Sequence, residues 1–359
     1  MAVSILRAFQ SSSEECLDLI ATFCLRLPDT TLFGVIISNA LSLLKMFETF
    51  RENKDWRSKH GESSYKLSKQ GRRLLGLLLP KICSEIGKVS EGDAIILLER
   101  LLDIGADLDS YVFDDKKYNT NAKLRADGMG AVYVFSPALS CAASTGYTNA
   151  VEFLLDQGAD VNHKSVDGSS AIHFASRYSG VETMTILLKG GASVEALDHG
   201  GNTPLHHAAI VANKHRWKNI SFLIEHRSPV SIRNNDGFEA IHVLAANSPG
   251  KYGENAMKEL LRAGASIDST TNSGETALAI VLKNRDLERG SHDIILLLLR
   301  WGADPTSHMP HPDPWLQSVF EGTLAGQATA RAEGKSYPLP LGALNVPIIE
   351  RKKSESDAE

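Results

Sequence analysis

The chain has 359 residues, 43% of them hydrophobic and 23% charged, with a formal charge of −5. That is enough apolar material for a large core, which excludes wholesale disorder, and the slight acidity excludes nucleic-acid binding by overall charge. Four cysteines, Cys16, Cys24, Cys83 and Cys141, stand far apart with no C-x-x-C pair, so neither a zinc site nor a disulfide framework is indicated, and the usage fits a reducing compartment.

Residues 1–90 carry no repeat and read as helices: Ser13–Leu27 ended by Pro28, then Thr30–Arg51, then Ser68–Lys88 kinked or broken at Pro80. Arg7, Glu14, Glu15 and Asp18 interrupt the first apolar stretch, so no secretory signal is expected. The most apolar window, Leu32–Leu44, holds two serines and an asparagine and falls short of the ~20 residues that span a bilayer. The expectation is an intracellular protein, cytoplasmic or nuclear, that does not enter a membrane. Arg51–Arg73 has eight Lys/Arg against three Asp/Glu, read as a solvated linker.

From residue 91 a pattern recurs: two bulky aliphatics, two variable residues, then Gly-Ala. Its copies are Leu101–Ala106, Leu154–Ala159, Leu187–Ala192, Leu260–Ala265 and Leu298–Ala303, with a degenerate one at Leu223–Ser228. The glycine slots, 105, 158, 191, 227, 264 and 302, are separated by 53, 33, 36, 37 and 38 residues. A second pattern keeps phase with it, clearest at Thr203-Pro204-Leu205-His206-His207-Ala208-Ala209 and weaker at 137–143, 170–175, 239–245 and 276–280. Turn dipeptides precede most copies: Asp167-Gly168, Gly200-Gly201, Asp236-Gly237 and Ser273-Gly274.

Thr203 suits a helix cap, Pro204 its first turn, and Gly158 a left-handed helix ending. Small residues such as Ala208 and Ala209 let a neighbouring helix approach. Each unit is too small to bury its own apolar face, so units must stack. Leu155, Leu188 and Leu261 are expected to be buried between them. The two registers, in phase over five units, resemble the ankyrin repeat, whose T-P-L-H-x-A segment opens the first helix. The resemblance implies an all-α solenoid of helix pairs with extended turn fingers. Its parts are a degenerate unit at 91–110, an insertion at 111–135, and repeats at about 136–166, 167–199, 200–235, 236–272 and 273–305. A cap at 306–335 and a disordered tail at 336–359 follow the helical region 1–90. Spacing places 3, 4 and 5 additional residues between the two helices of the last three repeats, in Val211–Asn219, Asn247–Asn255 and Lys283–Asp293.

Twelve histidines occur, but His173, His206 and His242 share one repeat slot on separate helices. By the resemblance they are structural. His206 and His207 point in different directions on a helix and cannot chelate together. His308, His311 and Asp313 in a Pro-containing loop are the weak metal alternative. Asn162 stands in a context like that of hydroxylated asparagines in ankyrin repeats, but is read as bonding its own turn. No phosphate-binding loop, nucleophile elbow or zinc-protease motif is present. No catalytic residue, metal or cofactor is therefore assigned.

The functional expectation is a non-enzymatic scaffold or adaptor that binds a protein partner through a concave face. That face is read as Phe174, Arg177, Tyr178, His207 and Ile210 from first helices, with Lys164, Leu197, His199, Arg233 and Asn235 from the turns. Arg216 and Trp217, in the first lengthened loop, either anchor a partner or, for Trp217, tuck under that loop. One alternative is a transcriptional or biosynthetic-cluster regulator with the repeats as its effector half. The other is an enzyme with its site in residues 1–90. Neither a small-molecule substrate nor nucleic acid is the expected partner.

Overall fold

The computed structural model describes residues 76, 78–85, 91–103, 106–109, 136–210, 217–247, 251–283, 289–334 and 338. The helices expected at Ser13–Leu27 and Thr30–Arg51, the insertion 111–135 and the tail lie outside these residues. The described part is helical, with no strand. Two compact units divide it, Met1–His207 and Ala208–Glu359.

Unit 1 contains α1 (Leu78–Glu85), α2 (Glu91–Asp103), α3 (Ala138–Thr145), α4 (Thr148–Asp156), α5 (Ala171–Tyr178) and α6 (Val181–Lys189). First helices pack on first helices, α1 on α3 and α3 on α5, while second helices α2, α4 and α6 pack in their own row. Because α1 pairs with α2 and lies on α3, it stands in the first-helix position of the earliest pair among the described residues. Pro80 lies near the start of α1 and does not end it. Ala142, Ala143 and Ala175 have no exposed surface, which is how the first helices come close.

Helix α7 (Pro204–Ile210) crosses the boundary between the units. Unit 2 then contains α8 (Lys218–Glu225), α9 (Ala240–Asn247), α10 (Lys251–Arg262), α11 (Ala277–Lys283), α12 (Arg289–Arg300) and α13 (Pro314–Ala332). The same two rows recur, with α9 on α11 and α8, α10 and α12 in sequence. Asp313 caps α13 by accepting from the amides of Trp315 and Leu316, with Pro314 in the first turn. Buried Gln327 of α13 donates to the Leu299 and Ala303 carbonyls, satisfying groups that the end of α12 leaves without intrahelical partners.

Two expectations are corrected. Leu155 and Leu188 are half-buried, whereas their predecessors Leu154 and Leu187 are fully buried. In these two leucine pairs of unit 1 the first side chain points into the stack and the second onto its flank, 100° further round the helix. Leu261 is buried as expected. The added residues of the later repeats do not all form loop. Lys251 and Arg289 already begin helices, so α10 and α12 have 12 residues each, against 9 in α4 and α6.

Candidate functional site

The fingers are ordered by one repeated set of bonds. In unit 1 the His199 amide donates to the Asp167 carbonyl at 2.9 Å, and in unit 2 the Asn272 amide donates to the Asp236 carbonyl at 3.2 Å. These are the same slots of consecutive fingers. Cations cross the same gaps: Lys164 Nζ donates to the Leu197 carbonyl at 3.0 Å, and an Arg233 terminal nitrogen to the Thr270 carbonyl at 2.6 Å. Both donors sit six residues after the helix-ending slot, and both acceptors sit at that slot one repeat on. Glycine is required where the fingers touch. A Cβ on Gly237 would lie 2.6 Å from the Asn272 amide nitrogen.

Histidines fasten fingers to the helices. The Ser170, Thr203 and Glu239 amides donate to Nδ1 of His173, His206 and His242, each at 3.1 Å. That fixes the Nε2–H tautomer, and His173 donates to the Ala196 and Asn202 carbonyls at 3.1 and 3.2 Å. His242 does the same to Ser269 at 2.8 Å. Burial, then the neighbouring His207, pushes His173 from its ordinary 6.5 down to about 4. Burial also lowers His242. The structural role expected of this slot is what the geometry shows.

Asp198 receives His207 Nε2 at 2.9 Å, with the His173 ring edge-on to His207 at 5.0 Å. Burial works against the Asp198 carboxylate. Bonds from His207 and Asn202 outweigh it and hold Asp198 below the usual carboxylate range. His207 is therefore an internal tie in unit 1, with only 7% of its surface exposed, and Phe174 keeps 5%. Both were expected on the binding face, and neither presents a contact surface. The x position of T-P-L-H-x-A turns inward under the preceding finger, which a one-dimensional pattern does not reveal.

The other candidates of unit 1 lie at the surface. Lys164, Leu197 and His199 are exposed; Arg177 and Tyr178 are half-buried, the guanidinium 5.0 Å from the tyrosine ring centre. In unit 2, Arg233 and Asn235 are exposed, and Ile210 and Trp217 are half-buried. Trp217 is the residue from which α8 starts, and Arg216 lies outside the described residues. Asn162 does not bond its own turn through its side chain; Nδ2 donates to the Gly191 carbonyl of the next repeat at 3.3 Å. Among the described residues no group of three or more His, Cys, Asp or Glu could hold a metal. No described helix is long and apolar enough to cross a membrane.

Residues 139–226 match the family model of ankyrin repeats, in three copies. The chain is similar to SH3 and multiple ankyrin repeat domains protein 2 of Homo sapiens, 29% identical over 176 residues, covering 48% of this chain and 9% of that protein. It is similar to Rabankyrin-5 of Mus musculus, 30% identical over 149 residues, covering 38% and 12%. It is also similar to the nuclear factor NF-kappa-B p105 subunit of Gallus gallus, 30% identical over 168 residues, covering 44% and 16%. The chain thus spans a small part of each of these relatives.

Proposed function

We propose that this chain, which belongs to the ankyrin-repeat family, is a non-enzymatic protein-binding scaffold whose contact face in unit 1 is its fingertips and adjoining first-helix ends. Ankyrin repeats are in general protein–protein interaction modules. The observation that carries the finer reading is Leu197, 44% exposed at a turn tip. The equivalent slots hold Lys164, Arg233, Thr270 and His308, the polar residues a solvated turn favours. A large apolar side chain left 44% exposed there gains further from being covered by a partner. Arg177 stacked toward Tyr178, with Lys164 and His199, supplies the arginine and aromatic chemistry concentrated at binding hot spots.

Unit 2 offers Arg233, Asn235, Ile210 and Trp217 as its own candidates. Lys164 and Arg233 also hold adjacent fingers together, so reversing their charge tests stability and binding at once. Leu197 separates the two. Replacing Leu197 by Glu is expected to remove captured partners while leaving the melting temperature within about 2 °C, as for other exposed sites. Unchanged capture by a folded Leu197→Glu chain would refute the face. An intracellular setting, cytoplasmic or nuclear, accords with the buried free thiols Cys83 and Cys141.

A further inference from the structure

The turn that ends each second helix is built alike in the three copies of unit 2. The amides of Ser228, Ala265 and Ala303 donate to the carbonyls of Leu223, Leu260 and Leu298 at 2.9, 3.0 and 3.1 Å. One residue earlier, the amides of Arg227, Gly264 and Gly302 donate to Ile224, Leu261 and Leu299 at 2.9, 3.1 and 3.1 Å. This paired-bond ending needs a left-handed residue in the middle slot. Gly264 and Gly302 supply it at φ 94° and 101°; Arg227 does so at φ 63° and is the one residue other than glycine with positive φ among those described. A side chain there costs free energy that glycine would not. The turn's own bonds do not need it. The Arg227 side chain is exposed and, among the described residues, has no hydrogen-bond or ion-pair partner.

Because α8 packs on α10 and α10 on α12, their ends form one row. Arg227 is followed by Arg262, the last residue of α10 with a 64% exposed side chain, and by Arg300 and Trp301 at the end of α12. Arg262 shares its charge with Glu259 at 2.8 Å, and exposed Glu225 lies beside Arg227. Three guanidinium groups are thus interspersed with two carboxylates. A nucleic-acid backbone, charged at every step, would be repelled at the two acids. A polypeptide with spaced carboxylates can meet the row at exposed Arg227, whose guanidinium can make a bidentate contact, and avoid the glutamates.

The geometry points to a second contact surface, in unit 2: the row of second-helix ends binds an acidic segment of a protein partner, with Arg227 retained at a strained position for that contact. The test uses the full chain, a fluorescein-labelled peptide of alternating Glu and Ser as probe, and a single-stranded RNA of equal length as the second probe. Arg227→Gly is expected to weaken peptide binding at least about fivefold, while raising the melting temperature, because strain is relieved. Arg227→Asn, which tolerates the left-handed backbone, is expected to lose binding with the fold intact. A purely structural arginine would give the reverse pattern. Wild-type affinity in either variant, absence of peptide binding by the native chain, or preference for the RNA would overturn the proposal.

Discussion

The buried histidines His173 and His242 of the repeated slot each do two jobs with one neutral ring. Nδ1 accepts from the helix's own first amide, and Nε2–H holds the next finger. Protonating Nδ1 turns that acceptor into a donor facing a donor, so the folded chain resists it. The unfolded chain takes up the proton near 6.5, the folded chain at His173 only near 4. Between those values the unfolded state binds more protons, so stability falls as pH falls. His173 alone accounts for about 3 kcal/mol across that window, and lowered His242 adds in the same direction. Asp198, depressed by its bonds, loses its contribution only below the ordinary carboxylate value, as pH drops further. Melting temperatures measured from pH 7.5 down to pH 4 are expected to decline steadily below about pH 6.5, with a smaller decline in His173→Gln. A flat profile would mean that the ring is solvated. The role of His173 was legible in the T-P-L-H pattern. The inward turn of His207 was not, because it depends on Asp198 of the preceding finger, and a pattern within one repeat carries no information about its neighbour's side chains.

At the scale of the element, the helix pairs were readable from leucine and alanine spacing, since both rows of the stack repeat a short pattern. Where added residues went was not readable: spacing gives their number, and helix propagation decides whether they lengthen α10 and α12 or the preceding loop. The fingers were placed by their Asp-Gly and Ser-Gly dipeptides, but the bonds between fingers came only with the fold. These bonds distinguish two glycines with equal backbone. Gly237 and Gly274 both have φ 78°. A Cβ on Gly237 would strike the Asn272 backbone and side chain, whereas one on Gly274 meets nothing within 4 Å. Gly274→Ala is expected to cost about 1 kcal/mol, the left-handed penalty. Gly237→Ala is expected to cost clearly more, about 2–4 kcal/mol, because the Asn272–Asp236 bond between fingers must also open. Chemical denaturation of the two variants checks this, and equal losses would show that the fingers do not touch.

At the largest scale, helix pairs stack on their neighbours within each unit, as a repeat protein requires. Each helix pair spends its apolar face on its neighbours, and the proposed contact surfaces are the fingertips and helix ends that this leaves uncovered. The internal repeats also serve as controls for one another. Leu197 and Arg227 stand out because equivalent slots hold polar residues and glycines, respectively. Both departures are visible in the sequence once the repeats are aligned. Their exposure and backbone angle are not. The most direct test of the proposed binding role is hydrogen-exchange protection of the full chain, measured with and without a partner recovered through the wild-type protein. Slowed exchange is expected at 162–168 and 195–201, around Lys164 and Leu197, with that protection lost in Leu197→Glu. Protection confined to the outward faces of α2, α4 and α6, with the fingers exchanging as in the free protein, would contradict it.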